Sequence, residues 1–176
     1  RTDELYDNQI RPYFRAPHIF MGFPTRYIER DWSDAIEDLP ELEERRRRSD
    51  VSERYGTALT DVMFMSSRDG RTFDLWPESF IRPGLRPQDN WTYMDNYPSW
   101  GLVTTKSMFA GAPDDISIYT MEGYWRGDST TLRRYTMRLD GFASVQAPLS
   151  GGELVTKPLI FDGRELVLNF SASAAG

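Results

Sequence analysis

The chain has no cysteine. That excludes a disulfide scaffold and any thiolate-bound metal, and it leaves the compartment open, an exported location included. No apolar run approaches the ~18–20 residues that a membrane-spanning helix needs. Positive charge is in deficit, with 21 Lys and Arg against 27 Asp and Glu, a net charge of −6 and a pI of about 4.9. An acidic chain is a poor general partner for phosphate backbones, so nucleic acid is not an expected partner. No signal peptide is visible and position 1 is not Met. The chain opens with Arg1 in a charged stretch and closes on a strand-like segment that lacks a following partner. It is therefore expected to be a piece of a longer protein.

What is present in excess is aromatic: five Trp, nine Tyr and ten Phe, 14% of the 176 residues. Most stand in short runs beside Gly, Pro, Asp and Asn. Aromatics favour strands and these neighbours favour turns. The same mixture suits sugar binding, because flat rings stack on the apolar faces of pyranoses while carboxylates bind hydroxyls. A β-protein with an aromatic core has this composition too. The length corresponds to one domain or a little more, enough to bury a core without staples.

Residues 10–28 predict two extended segments broken at Gly22 and Pro24, with Pro12 and Pro17 opposing helix. Residues 31–55 differ: acidic side chains precede the run Arg45 to Arg48, and Glu41, Glu43 and Glu44 stand at spacings that pair across a helical turn. Pro40 suits a helix start. This is expected to be a partly helical charged insertion with the arginines on a wet face. Residues 60–76 predict a hairpin, strand Val62 to Met65 and strand Arg71 to Trp76, joined at Asp69-Gly70. Further strands are expected at 100–105, 115–122, 131–139 and Phe142 to Gln146. A last hairpin is expected from 153–160 and 164–170 across Asp162-Gly163. Eight to ten short strands with Asp-Gly joins argue for an all-β fold of antiparallel meanders. A propeller, a sandwich and a barrel all fit that count.

Four constellations could carry chemistry. Ser67-Arg68-Asp69-Gly70-Arg71-Thr72-Phe73 reads as a turn whose Ser and Asp side chains bond backbone amides, a structural role. Phe14 to Phe20 holds Arg15 and the only histidine, His18. Three residues apart on one strand, they face opposite sides unless Pro17 bends the chain. His18 is either a strand-base hydrogen-bonding residue or a substrate-contacting, proton-transferring one. Asn90 to Gly101 surrounds Asp95 with Trp91, Tyr93, Tyr97 and Trp100 and with the amides Asn90 and Asn96. Asp95 is a candidate base or nucleophile, Asn90 and Asn96 could bond hydroxyls, and Trp91, Tyr97 or Trp100 could form a stacking floor. A long loop packed by its own aromatics is the bland alternative. Thr120 to Gly127 ends a strand on Glu122, followed by Tyr124 and Trp125. Desolvation there would raise the pKa as a general acid needs, whereas pairing with Arg126 would make Glu122 structural.

These motifs carry a resemblance. The Ser67 to Phe73 turn resembles the Asp-box of sialidase-like propellers, one residue shorter. Phe14 to Phe20 resembles the Phe-Arg-Asp-Pro segment of glycoside hydrolase families 32 and 43, with Ala16 where the family places an acid. In the Ala-Pro-acid version of the family 43 strand, His18 takes the acidic slot. Glu122-Gly123-Tyr124 resembles the Glu-Gly-Pro segment that carries the family 43 general acid. Arg138 to Phe142, Thr156 to Leu159 and Leu166 to Asn169 resemble the handover from a five-bladed glycosidase propeller to a C-terminal β-sandwich. The resemblance implies partial propeller blades over 1–146, with the insertion 31–55, and the start of a sandwich over 147–176. It implies a protein that hydrolyses or binds a glycan through a carboxylate pair, Asp95 and Glu122. Arg15, His18, Trp91, Asn96, Tyr97, Trp100, Tyr124 and Trp125 would contact the sugar. Glycoside hydrolysis normally needs two carboxylates flanking the bond. The expected partner is an oligo- or polysaccharide, with no cofactor or metal. Ala16 favours the alternative, a non-catalytic carbohydrate-binding or structural β-module.

Overall fold

A computed structural model of the chain describes residues 4–85, 91–124 and 130–172. The fold is all-β, with antiparallel sheets and three short helices. The chain divides into two units, Arg1–Asp140 and Gly141–Gly176.

The first unit opens with β1 (Glu4–Tyr6), β2 (Arg11–Tyr13), β3 (Ala16–Gly22) and β4 (Thr25–Ile28). After the insertion come β5 (Leu59–Val62), β6 (Met65–Ser67) and β7 (Asp74–Leu75). They form two sheets, β1-β4-β5 and β2-β3-β6-β7. The two sheets share one folded hairpin. Gly22 faces Met65 and Thr25 faces Val62, so the register passes the break without gaining or losing a residue. Pro24 sits in the break, where its missing N–H costs nothing. Its carbonyl still accepts from the Met63 amide at 2.8 Å. Gly22 is needed there for space: a Cβ would stand 2.6 Å from the Met65 methyl and 2.9 Å from the Asn8 carbonyl. Phe23, Val62, Met63, Phe64 and Met65 are buried around the fold line. The Phe23, Phe64 and Phe80 rings pack with centroids 5.4–5.7 Å apart.

A hairpin forms across the expected turn but from shorter strands: Val62 ends β5, and β6 pairs with β7 with Met65 opposite Leu75. Its turn works through side chains. Ser67 Oγ accepts from the Gly70 amide at 2.9 Å, and Asp69 Oδ1 accepts from the Arg71 and Thr72 amides at 2.8 Å each. These amides, with the Ser67 hydroxyl, hold the Asp69 carboxyl down at about 2. Asp69 is therefore a turn-former.

The insertion folds into α1 (Asp34–Glu37), α2 (Leu42–Ser49) and α3 (Arg54–Thr57). Glu44 pairs with Arg47 and Arg48 one turn on, and Arg46 pairs with Glu37. The expected wet arginine face is corrected in half of its members. Arg46 and Arg47 are exposed, but Arg45 and Arg48 are only 4% and 7% exposed. Their i,i+3 spacing puts both on one face of α2, and that face points inward.

A second meander completes the first unit: β8 (Tyr97–Pro98), β9 (Val103–Thr105), β10 (Asp115–Glu122) and β11 (Thr131–Arg138). β8 and β9 pair along one edge of β10, and β11 pairs along the other from Asp115↔Arg138 to Glu122↔Thr131. Ile116, Ile118 and Thr120 are buried, as the alternation predicts, but Ser117 on the opposite face is buried too.

In the second unit no strand forms among residues 141–172. This corrects the strand expected at Phe142 to Gln146 and the hairpin expected over 153–170. Two strands alone are marginal in water, and Leu154, Val155, Leu159, Leu166, Val167 and Leu168 all remain exposed. With no covered face, the pattern has nothing to pair against.

Gly56 gives a sharp test of the insertion. A Cβ there would lie 2.3 Å from the Arg45 backbone carbonyl, a contact that no side-chain rotation relieves. Gly56→Ala is expected to lower unfolding stability by about 1–3 kcal/mol in urea titration. An unchanged midpoint would show that α3 does not press on α2.

Candidate functional site

Asp95 stands where the two meanders meet. It belongs to a tight loop, Trp91 to Asn96, in which Trp91, Met94 and Asn96 all have left-handed φ (66°, 69° and 60°). Three such non-glycine residues in six positions cost energy that surrounding bonds must offset. Those bonds come from three directions. The Thr60 hydroxyl on β5 donates to the Asp95 carbonyl at 2.7 Å, and the Asn96 amide donates to the Met121 carbonyl on β10 at 2.8 Å. Arg45 reaches in from α2: Nη1 donates to the Trp91 carbonyl at 2.8 Å, and Nε donates to the Pro40 carbonyl at 3.0 Å. Burial beside Arg48 lowers the Arg45 guanidinium to about 10.

The Asp95 side chain is 0% exposed. Oδ1 accepts the Tyr124 amide at 3.2 Å, and the carboxyl also bonds the Gly123 amide. Oδ2 is buried and has no hydrogen-bond partner among the described residues. Burial pushes the carboxyl up to about 7. The two amides pull against that rise, and the neighbouring Glu122 adds to it. A carboxyl in this state holds a proton close to neutral pH.

Glu122, at the end of β10, is 7% exposed. Oε2 accepts Arg133 Nε at 2.5 Å, and Oε1 accepts the Tyr135 hydroxyl at 2.8 Å. Its cation is therefore Arg133, across the ladder on β11. Arg126, the partner considered from sequence, lies outside the described residues. The Tyr135 hydroxyl is raised above its ordinary value by burial and by this carboxylate.

The structure thus brings Asp95 and Glu122 together, with Tyr124 supplying an amide. Trp91 is nearby but committed, its Nε1 donating to the Gly84 carbonyl at 3.0 Å. Tyr97, on β8, donates to Asp7 Oδ2 at 2.8 Å. The remaining residues lie elsewhere. Arg15 bonds Asp140 Oδ1 at 3.1 Å, beside the Tyr13 hydroxyl at 2.6 Å. His18 is exposed on β3. Trp100 is 63% exposed under the Arg11 guanidinium, 4.9 Å from its ring centroid. Trp125 and Asn90 lie outside the described residues.

Sequence reasoning missed Arg45, Thr60, Arg133 and Tyr135. The last two were findable: pairing the 115–122 and 131–138 strands puts Arg133 and Tyr135 on the face that Glu122 shares. It also missed a half-buried tyrosine cluster. Tyr93 packs on Tyr27 and Tyr55 at 5.9 and 5.5 Å, and Arg54 lies over Tyr55 and Tyr93. Among the described residues no group of His, Asp and Glu is placed to hold a metal, and no helix is long and apolar enough to cross a membrane. No protein-family model matches the chain, and comparison with curated proteins and with solved structures finds no match.

The raised Asp95 carboxyl makes a signed prediction. Its folded value, about 7, lies above the ordinary 3.8, so the folded state holds the proton more tightly than the unfolded chain. That contribution is complete below pH ~4 and is lost as pH rises through ~7. Asp95→Asn cannot ionise. Its melting temperature is expected to fall less than wild type across that window and to exceed wild type above it, by the equivalent of a few kcal/mol. Parallel melting curves against pH would assign the titration to another group.

Proposed function

We propose that the chain is a glycan-acting module of the glycoside-hydrolase propeller type, with Asp95 and Glu122 as its carboxylate pair. The observation that carries this reading is the split between the two acids. Burial keeps a proton on Asp95 up to about pH 7, whereas Glu122 sits against the Arg133 guanidinium. One carboxyl that holds a proton near neutral pH and a second that sits beside a guanidinium form a pair suited to acid–base hydrolysis of an acetal. The assignment of roles differs from the one the sequence suggested: Asp95 is the proton donor to the leaving oxygen, and Glu122 is the carboxylate that serves as base or nucleophile. As the C–O bond breaks, the Asp95 proton passes to the departing hydroxyl. Water then supplies the hydroxyl to the sugar carbon and its proton to a carboxylate. The antiparallel meanders of the first unit are the kind of element from which propeller blades are built.

A second reading has its own observation. Asp95 is 0% exposed, and its amide bonds join the Trp91 to Asn96 loop to the end of β10. Under this reading the pair serves architecture alone, and the module binds glycan without cleaving it.

Assays on aryl glycosides, reducing-end release from polysaccharides and retention on polysaccharide affinity gels separate the two. Under the hydrolytic reading, Asp95→Asn and Glu122→Gln each lower turnover roughly 10²–10⁴-fold while gel retention persists. A wild-type chain that is retained but releases nothing establishes the binding reading. A chain that neither binds nor cleaves overturns both.

A further inference from the structure

A cleft apart from the carboxylate pair lies where β2 and β3 approach the turn between β8 and β9. Its volume is about 150 Å³, room for roughly five waters or one small ring. Tyr13, Phe14, Met21 and Phe23 give it apolar walls, and Gly101 and Leu102 complete it. Two of its lining residues are polar, and both have chemistry to spare. Gln9 has left-handed φ (51°), and its Nε2 donates to the Pro98 carbonyl at 3.3 Å. Its Oε1 is buried and accepts no hydrogen bond among the described residues. Arg11 is placed by stacking on Trp100 rather than by a carboxylate. Three other arginines of this unit meet acids, Arg15 with Asp140, Arg26 with Asp61 and Arg133 with Glu122, while Arg45 is held by backbone carbonyls and Arg54 lies over tyrosine rings. Among the described residues no carboxylate pairs with Arg11. The Tyr13 hydroxyl is already given to Asp140.

Resting on the glycan-acting reading above, we propose that this cleft binds the carboxylate-bearing ring of an acidic glycan, a hexuronate. The apolar face of the ring packs on Tyr13 and Phe14. The carboxylate meets Arg11, whose planar fork matches it. A ring hydroxyl donates to Gln9 Oε1. A neutral hexose leaves the arginine charge unmet, and an apolar acid leaves the glutamine acceptor unmet. The hexuronate satisfies both.

The test titrates the 176-residue chain with glucuronate and galacturonate oligosaccharides and with their uncharged counterparts. It is read by NMR shifts and calorimetry. The uronates are expected to bind at least tenfold more tightly than the neutral sugars, with a preference that weakens as salt rises. Arg11→Gln, on the exposed side of β2, should abolish the preference, and Arg11→Lys should restore part of it. Equal binding of neutral and acidic sugars overturns the proposal, as does an unchanged preference in Arg11→Gln or the absence of any binding. The carboxylate pair is judged separately. Uronate binding without hydrolysis supports the cleft and removes the hydrolytic reading. Hydrolysis without uronate preference removes the cleft alone.

Discussion

A carboxyl buried to 0% exposure is the constraint around which the first unit is organised. A carboxylate taken out of water is expensive unless it is bonded or takes up a proton. Asp95 does both in part: two amides from the Gly123–Tyr124 turn meet the carboxyl, and burial raises its hold on a proton. Its own carbonyl takes the Thr60 hydroxyl from the other meander. One residue thus links the end of β10 to the middle of β5. The left-handed residues around it persist because Arg45, Thr60 and Met121 hold the loop from three sides.

Arg45 shows how charge reads differently before and after folding. In a run of four arginines preceded by glutamates, solvation is the economical reading, and Arg46 and Arg47 follow it. Arg45 does not, because the Trp91 to Asn96 loop presents backbone carbonyls that need donors, and a guanidinium supplies several from one side chain. Arg26 plays a comparable part in the first meander, where it meets Asp61 bidentately and Ser79 bonds the same carboxylate. In both places the cation sits where backbone or carboxylate acceptors await it, Arg45 buried and Arg26 partly so. Arg11 is the contrast: a ring positions its charge, and among the described residues no carboxylate pairs with it.

The candidate site shows the same division between composition and contact. Asp95 and Glu122 stand out in the sequence because each is ringed by aromatics near a turn, and folding brings them side by side. Their roles could not be read that way. The Asp95 carboxyl is raised by burial, and Arg133 reaches Glu122 only through the β10–β11 ladder. Arg15 and His18 have other surroundings: Arg15 ties a hairpin end to Asp140, and His18 is exposed on its strand.

By itself the sequence determined the local structure. Alternation produced β10 and β11, Asp69-Gly70 produced the β6–β7 turn, and Pro24 with Gly22 marked the fold line of the long hairpin. Each depends on neighbours within a few residues, so local physics suffices. Only the tertiary structure decided which arginines are buried, which acid holds a proton and which apolar segments lack a partner. The residues 153–170 alternate as well as any strand in the chain, yet no strand forms there because a sheet face needs a covering surface. Burial and pairing are properties of what the rest of the chain brings to a position, and no window of sequence contains that information.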